Sequence, residues 1–409
     1  MAGLFEDIGD TLFENKTVLE EEYEPDNILE RDDEIEEYRH SLKDVLYGRN
    51  PSNVMLYGKA GVGKTAVTTH VLDELQHAAE QQDAADDLYV HRYNCNDETV
   101  FSAVRELVNR LLPDHASEFP KRGLSTGNAL KELYKQLERV GGTHLVVLDE
   151  IDHLEKADSL LYELPRARAN DHLEDAKIGI IGISNNYTFR NRLSAKVKDT
   201  LQEDEISFPT YDANELRTIL HDRAKKALVE DGYDDSAVAK AAALAAQDTG
   251  SARQAIDLLR KGTEIAERED AGTVQDDHIG RAREEVNRGR LRDKIADQSL
   301  HARHVLEAVA HIEHDGDTPV RSKKVMATYQ QIAEKRGDDP LTTLQSIRNH
   351  LEDLQMLGFL IRNEVNQGQS GGRSYTHELD MDPSVVFKRA TNSTNKAKSD
   401  RSDSAAIIR

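Results

Sequence analysis

The chain has 409 residues and a net charge of −23, from 76 acidic and 53 basic side chains, and its length predicts two or three domains. The single cysteine, Cys95, excludes an intrachain disulfide, and we find neither a signal peptide nor an apolar run near the roughly 18 residues of a membrane span. We therefore expect a soluble cytoplasmic protein with no membrane contact. Its acidic surface suits a salt-rich cytoplasm, and periodic apolar segments argue against a disordered solvating chain.

Strand and helix patterns alternate over the first half of the chain, after an N-terminus, residues 1–18, that we expect to be disordered. Short apolar runs bounded by polar or glycine residues are typical of buried parallel strands. These runs are Val54–Tyr57, Leu88–Tyr93, Leu145–Leu148, Ile178–Ile183 and Glu205–Phe208. The helical segments between them are Thr65–Gln76, Thr99–Leu112, Ala129–Val140 and Ser159–Ala169. The alternation predicts an α/β domain over residues 19–210, with a parallel sheet covered by helices.

After Tyr211 the strand patterns stop, and residues 211–295 are predicted to form a small helical domain and a connector. Its helices are expected at Ala213–Glu230, Ser236–Asp248, Ala252–Glu269 and Val274–Asn287, with Ser251 and Thr273 as N-caps. Residues 296–390 then show three helical patterns and two strands around a glycine-rich loop, which is typical of a winged helix. These elements are Ser299–Ile312, Ser322–Arg336, Leu341–Met356, Phe359–Val365 and Arg373–Leu379. The polar tail, residues 391–409, is expected to be disordered.

One segment matches the phosphate-binding loop pattern G-x-x-x-x-G-K-[ST] and lies between a predicted strand and a predicted helix. Its residues are Gly58, Lys59, Ala60, Gly61, Val62, Gly63, Lys64 and Thr65. The glycines allow backbone N–H groups to face phosphate oxygens, and the helix N-terminus favours an anion. Lys64 should reach the β- and γ-phosphates and Thr65 should hold Mg²⁺. The alternative, a chance glycine-rich turn, fits the flanking elements poorly, so we predict ATP or ADP with Mg²⁺ as cofactors.

Polar residues that follow later strands supply further candidates for nucleotide chemistry. Asp149 and Glu150 end an apolar strand, where Asp149 is placed to support Mg²⁺ and Glu150 to orient and activate water. Asn185 ends the next strand and either hydrogen-bonds the γ-phosphate or merely terminates the strand. Arg253 begins a helix of the helical domain and either reaches the phosphates or is a solvated arginine at a helix start.

Taken together, these segments resemble the archaeal origin-recognition-complex and helicase-loader initiators, of the cell-division-control type, over roughly Val18 to Arg389. Glu22–Pro25 and Arg31–Ile35 look like the family's adenine-contacting lead-in. The other similar segments are Asn53–Lys59, Leu148–Asp152, Gly182–Asn186 and Gly250–Leu259. The resemblance implies a P-loop AAA+ domain with a helical lid, followed by a C-terminal winged helix. It implies that Asn185 and Arg253 act as nucleotide sensors, with Tyr211 counted among the nucleotide-binding residues, in a weak ATPase used as a switch.

The same resemblance implies the partners. They are origin duplex DNA, a replicative helicase of the minichromosome-maintenance type, and further copies of the chain on DNA, at a nucleoid-associated location. The family carries a DNA-contacting helical insertion, which by position lies within Asp97–Asn128 and includes Lys121 and Arg122. The family also has an arginine that serves a neighbour's nucleotide, and here Lys196 takes that place. A lysine carries the positive charge but cannot donate the two parallel hydrogen bonds of a guanidinium. This departure puts in doubt whether a neighbouring copy of the chain activates hydrolysis.

The predicted third helix of the winged helix has an apolar face formed by Leu344, Ile347, Leu351 and Leu354. Away from that face lie Gln345, Arg348, Asn349 and Gln355, side-chain types that read adenine and guanine edges. Arg373 ends the glycine-rich loop and is suited to a minor groove. Arg321, Lys323 and Lys324 suit phosphate contacts. The alternative is an ordinary solvated face, which the adjacent wing makes the weaker interpretation.

Three functions remain open on these residues. The leading hypothesis is an origin-binding initiator that uses ATP as a switch and helps to load the replicative helicase. An ATP-dependent winged-helix transcriptional regulator shares the same motifs. A clamp-loader-like ATPase is a third possibility, although Leu341–Leu379 does not resemble an oligomerisation collar. Four histidines within residues 301–314 could suggest a metal site, but without cysteines or a carboxylate motif nearby a solvated surface fits better.

Overall fold

The computed structural model of the chain describes residues 11–82, 85–365 and 374–387. The chain divides into two compact units, Met1–Ala282 and Arg283–Arg409, which are described in turn. No helix in the described ranges combines the length and the apolar character that crossing a bilayer requires.

A five-stranded parallel sheet forms the centre of the first unit, in the order β2-β3-β4-β1-β5. Its strands are β1 Val54–Gly58, β2 Leu88–Asn94, β3 Thr143–Asp149, β4 Lys177–Ser184 and β5 Asp204–Phe208. All five match the predicted strands to within three residues at each end. Every residue of β1 is buried, because helices cover both faces of a parallel sheet. The predicted α/β class is therefore confirmed.

Seven helices flank this sheet within the described residues. They are α1 Asp32–Leu42, α2 Lys64–Glu80, α3 Val100–Leu111, α4 Thr126–Val140, α5 Ala157–Glu163, α6 Phe189–Arg192 and α7 Ala195–Leu201. Helix α5 ends six residues before the predicted Ala169, since Pro165 cannot supply the N–H that a continued helix needs. Helix α1 was missed: its buried face, Glu34, Tyr38 and Leu42, recurs every four residues, but two of those three side chains are polar.

Four helices follow: α8 Ala213–Ala227, α9 Asp235–Asp248, α10 Ala252–Arg268 and α11 Asp276–Ala296. Ser251 caps α10 as predicted, because its side chain accepts a hydrogen bond from the N–H of Gln254. The prediction for Thr273 is wrong, since α11 starts at Asp276. The N–H of Gln275 donates instead to the Nδ1 of His278, at 2.9 Å.

An N-terminal segment, residues 11–19, packs on these helices, so disorder over residues 1–18 is the wrong prediction for the described part of that range. Phe13 bridges to Leu228, and Val18 and Leu19 are buried. The Glu267 carboxylate accepts hydrogen bonds from the Thr11 hydroxyl and the Leu12 N–H, at 2.6 and 2.8 Å. Its four apolar residues, Leu12, Phe13, Val18 and Leu19, form two pairs with four residues between them, which is neither a helical nor a strand period, so the sequence pattern did not reveal them.

The second unit holds a winged helix with its own buried core. Its elements are α12 Leu300–His314, β6 Val320–Arg321, α13 Ser322–Arg336, α14 Leu344–Met356, β7 Leu360–Val365 and β8 Ser374–Leu379. Strand β6 was not predicted; it pairs antiparallel with β8 to complete a three-stranded sheet. Helix α14 starts three residues later than predicted, where the Thr343 side chain caps the N–H of Ser346. Of the predicted apolar face, Ile347, Leu351 and Leu354 are fully buried, whereas Leu344 is partly exposed.

Candidate functional site

The phosphate loop connects the end of β1 to the first turn of α2. Gly61 and Gly63 have φ angles of +77° and +93°, in the left-handed region that only glycine adopts at little cost. A side chain would also have no room there. A Cβ on Gly61 would lie 2.1 Å from the Oγ of Ser251, and one on Gly63 would lie 2.9 Å from the Oη of Tyr211.

Lys64 is buried at the start of α2 and folds back over the loop. Its Nζ donates to the carbonyl oxygens of Gly58 and Lys59, each at 2.8 Å, and to the Oδ1 of Asn185, at 2.9 Å. Burial lowers the pKa of Lys64 to about 8, against the opposing field of Asp149. The structure thus brings together the loop lysine and the strand-end asparagine that the sequence singled out separately.

Thr65 and Asp149 also meet, since the Thr65 hydroxyl donates to the Oδ2 of Asp149 at 2.9 Å. A hydroxyl and a carboxylate at this distance are the oxygen donors that Mg²⁺ prefers beside phosphate. Glu150 follows with a φ of +55°, and its N–H donates to the other Asp149 oxygen at 2.9 Å. Glu150 therefore leaves the strand in a left-handed turn that its own N–H fixes to the Asp149 carboxylate.

Asp152 holds Asn185 in place, although the sequence analysis gave it no role. Its Oδ1 accepts the Ser184 hydroxyl at 3.0 Å and the Asn185 N–H at 3.3 Å. The Asp152 side chain is 7% exposed, so its charge needs these donors. The sequence signal was available, because Asp152 lies two residues after the Asp149-Glu150 pair.

The N-terminus of α10 touches the phosphate loop directly. The N–H of Ala252 donates to the carbonyl oxygen of Gly61 at 2.9 Å. Arg253, the next residue, is more than half exposed and forms an ion pair with Glu21 at 3.0 Å. The structure therefore places the predicted sensor arginine one residue from a contact to the loop, with its guanidinium on an exposed carboxylate.

Arg31 lies in the segment that resembles the family's adenine-contacting lead-in, and its side chain is 2% exposed. Its Nε donates to the Val62 carbonyl at 3.1 Å and its Nη2 to the Pro209 carbonyl at 2.8 Å. Its Nη1 pairs with Glu34 at 3.1 Å. The guanidinium stacks on the ring of Tyr211, 3.6 Å from the centroid. Tyr211, predicted as a nucleotide-binding residue, is thus buried between this arginine and the loop.

Two other predicted groups lie on the surface of the first unit. Lys196 is exposed in the first turn of α7, and its Nζ lies over the Tyr162 ring, 3.6 Å from the centroid. Lys121 and Arg122 are exposed in the loop between α3 and α4. The segment that contains them is a helix followed by a polar loop, as the residue pattern predicts.

In the winged helix, α14 presents Gln345, Arg348 and Asn349 as exposed residues. The Nε2 of Gln345 donates to the Oδ1 of Asn349 at 2.9 Å. This bond fixes the two amides side by side, with the Asn349 amide nitrogen and the Gln345 oxygen left for other partners.

The basic residues around α13 differ in their surroundings. Arg321 lies in β6 at the N-cap of α13, and both Arg321 and Lys323 are exposed. Lys324 forms an ion pair with Asp317, with 2.6 Å between Nζ and Oδ2. Arg373, predicted to enter a minor groove, lies outside the described residues.

Comparison with known proteins gives three matches to family models. Residues 48–193 match an AAA domain, residues 217–284 match the Cdc6 AAA+ ATPase-type lid domain, and residues 293–389 match the CDC6 C-terminal winged helix domain. "ORC1-type DNA replication protein 8" of Halobacterium salinarum is 47% identical over 376 residues, which cover 92% of this chain and 94% of that protein.

Solved structures agree with this match. The Aeropyrum pernix ORC1 protein in complex with DNA has a TM-score of 0.71 and 32% identity, covering 94% of this chain and 98% of that one. The Aeropyrum pernix ORC2 protein, in ADPNP–ADP complexes, has a TM-score of 0.57 and 21% identity over 92% of this chain and 97% of that one, and shares the fold. The chain therefore belongs to the ORC1/Cdc6 family of AAA+ DNA replication proteins.

Proposed function

We propose that this protein is an ATP-dependent replication initiator that binds origin duplex DNA and helps to recruit or load a replicative helicase of the minichromosome-maintenance type. One observation carries the proposal: the same chain holds a nucleotide site and a winged helix. In the nucleotide site, Lys64 contacts Asn185 and Thr65 contacts Asp149. The winged helix has an exposed Arg348. The relatives named as DNA replication proteins, and the ORC1 structure with DNA, support the same role.

In the proposed reaction, ATP binds in the phosphate loop with Mg²⁺ at Thr65 and Asp149. Thr65 and Asp149 would hold the ion, whose charge would stabilise the negative charge that develops on the phosphates. Lys64 would exchange its carbonyl contacts for the β- and γ-phosphates, and Glu150 would accept a proton from the attacking water. Asn185 and Arg253 would contact the γ-phosphate. Arg253 would leave its exposed ion pair with Glu21 at little cost, since exposed pairs contribute about 0–1 kcal/mol.

We propose that hydrolysis is slow and serves as a switch, because Lys196 stands where the family has an arginine. Turnover per molecule of the parent protein is expected to stay nearly constant as its concentration rises. Lys196→Arg is expected to raise turnover in assembled complexes, since a guanidinium can donate two parallel hydrogen bonds to phosphate oxygens. Phosphate release measured over a range of protein concentrations checks this, with Lys198→Arg as the control on the same helix. A steep rise in the parent's specific activity on self-association would contradict it.

We propose that α14 contacts the DNA bases while Arg321, Lys323 and Lys324 contact the DNA phosphates. Lys121 and Arg122 would form a second contact, on the AAA+ domain. Arg373 would form a third, in the wing. In a chain of net charge −23, binding depends on such local basic groups.

Arg348→Ala is expected to weaken binding to the preferred duplex by about 1–3 kcal/mol and to relax sequence discrimination. Lys323→Ala should weaken all duplexes about equally and reduce the salt dependence by about one released counterion. Lys324→Ala should have a smaller effect, because Asp317 already neutralises that amine. Titrations on origin and scrambled duplexes at matched salt test this order, and equal losses on both duplexes for Arg348→Ala would remove it from base recognition.

Genome-wide mapping of the bound sites, with ATP-bound protein, tests the function as a whole. Binding concentrated at replication origins supports the initiator. Binding spread over promoters, with none at origins, would favour the transcriptional regulator that shares these motifs.

A further inference from the structure

Phosphate loops bind anions through backbone N–H groups, so the affinity of the loop for phosphate depends on the orientation of each of its peptide planes. In a planar trans peptide, the C=O of one residue and the N–H of the next point in opposite directions. A donor that holds a loop carbonyl on the outside therefore turns the following N–H inwards, towards the phosphates.

Two carbonyls of this loop are held by groups from outside it. The Gly61 carbonyl accepts the Ala252 N–H, at 2.9 Å, from the first residue of lid helix α10. The Val62 carbonyl accepts the Arg31 Nε, at 3.1 Å, from the segment before α1. By planarity, these contacts orient the N–H groups of Val62 and Gly63. The Lys64 amine holds the carbonyls of Gly58 and Lys59, but in the proposed function it leaves them when nucleotide binds.

We propose that Arg31 and the Ala252 N–H are the positioning groups of the phosphate loop, which keep the Val62 and Gly63 N–H groups facing the phosphates of ATP and ADP. This inference rests on the proposed nucleotide binding and adds two groups to it. The Arg31 guanidinium can hold the loop in one position because it donates four hydrogen bonds in fixed directions. The Tyr211 ring, stacked against it, fixes the plane of the guanidinium. Its contact with the Pro209 carbonyl ties the loop to the end of β5.

These groups act on the loop backbone and not on the γ-phosphate. Their loss should therefore leave the ratio of the ATP and ADP affinities unchanged. Loop N–H groups cradle the α- and β-phosphates, so ATP and ADP should lose affinity by the same factor. Loss of Arg253, which is proposed to contact the γ-phosphate, should weaken ATP more than ADP. The ratio of the two affinities separates a loop-positioning role from an effect transmitted through Arg253.

Ala252→Pro removes the Ala252 hydrogen-bond donor and puts the proline Cδ in place of the hydrogen that faces the Gly61 carbonyl, so the carbonyl must move away. Proline is well tolerated at the first position of a helix, and the preceding Ser251 has the extended backbone that a following proline requires, with φ −104° and ψ 124°. The lost hydrogen bond alone should lower the affinity for both nucleotides by about 2- to 12-fold. Displacement of the Gly61 carbonyl by the proline ring should add to this loss. Ala213→Pro is the matched control. It is an exposed first-turn position of α8 whose N–H has no recorded acceptor in the described parts of the chain, and it should bind as the parent does.

The experiment is a titration of full-length parent, Ala252→Pro, Ala213→Pro, Arg31→Lys and Arg253→Ala with Mg·ATP and with Mg·ADP, with the free energy of unfolding measured for each. Arg31→Lys should lose affinity for both nucleotides by about 10-fold or more, because an ammonium retains the charge but cannot serve the Val62 and Pro209 carbonyls together. If Ala252→Pro does not fold, Arg31→Lys decides.

Parental affinity in Ala252→Pro, or a loss confined to ATP, would overturn the role of the Ala252 N–H. Parental affinity in Arg31→Lys would show that charge alone matters at that position. A parent protein that binds neither nucleotide would refute the proposed function before any variant is compared.

Discussion

Lys64→Ala is expected to abolish ATP binding, with a loss of affinity of at least about 100-fold. A buried ammonium that donates to phosphate oxygens forms charge-assisted hydrogen bonds, each with a contribution of about 1.5–3 kcal/mol. The structure places this amine at the phosphate loop, where its Nζ contacts the carbonyls of Gly58 and Lys59 and the side-chain oxygen of Asn185. Isothermal titration with Mg·ATP measures the effect directly.

Lys59→Ala is the comparison within the same loop, since the Lys59 side chain is exposed and its loss should cost much less affinity. Binding of ATP by Lys64→Ala as tight as by the parent would mean that the site is misassigned.

The pH dependence of ATP binding adds an independent check. With its pKa lowered to about 8, the Lys64 amine loses its proton as pH rises through that value, whereas phosphate binding requires the charged form. Affinity should therefore fall between pH 7 and pH 9, with protons taken up on binding.

The sheet and the loop were predictable for one physical reason. Strands buried on both faces are continuous apolar runs, and β1, β3 and β4 stand out as Val54–Tyr57, Leu145–Leu148 and Ile178–Ile183 between polar residues. The carboxyl ends of neighbouring parallel strands meet at one edge of a sheet, so Asp149 and Asn185 were expected near the loop that contains Thr65. Spacing left the role of Asn185 open, and the family resemblance assigned it to the nucleotide site. The distances of 2.9 Å for Thr65–Asp149 and Lys64–Asn185 agree with that assignment.

Arg31 shows why the remainder was not predictable. Its partners are the carbonyls of Val62 and Pro209, which lie 31 and 178 residues further along the chain. Backbone acceptors leave no trace in the sequence, because every residue type has one. The surrounding segment is acidic and polar, so an arginine within it suggests a solvated residue, not one that is 2% exposed.

Glu150→Gln is expected to retain ATP binding and to lose hydrolysis by about 100- to 10,000-fold, the usual contribution of a general base. Glutamine has the shape of glutamate but cannot accept a proton from water. The backbone supports this separation of binding from catalysis. The Thr65 hydroxyl and the Glu150 N–H each bind one oxygen of Asp149, at 2.9 Å, so that Asp149, and not Glu150, is aligned for the metal. The N–H of residue 150 is unchanged in the variant, and the proposed Mg²⁺ site should remain intact.

The measurement pairs nucleotide affinity with single-turnover hydrolysis at saturating ATP, so that binding and chemistry are separated. Glu155→Gln, the same substitution at an exposed position five residues further on, is the control and should match the parent in both. If Glu150→Gln loses affinity and rate by the same factor, and if added Mg²⁺ partly restores both, then Glu150 is a metal ligand. In that case the water must be activated by another group, and Asp152 would be the nearest buried carboxylate along the chain. Its oxygen is already held by Ser184 and Asn185, so it would have to give up the contacts that position Asn185. We therefore expect Glu150→Gln to separate the two quantities, with affinity retained and hydrolysis lost.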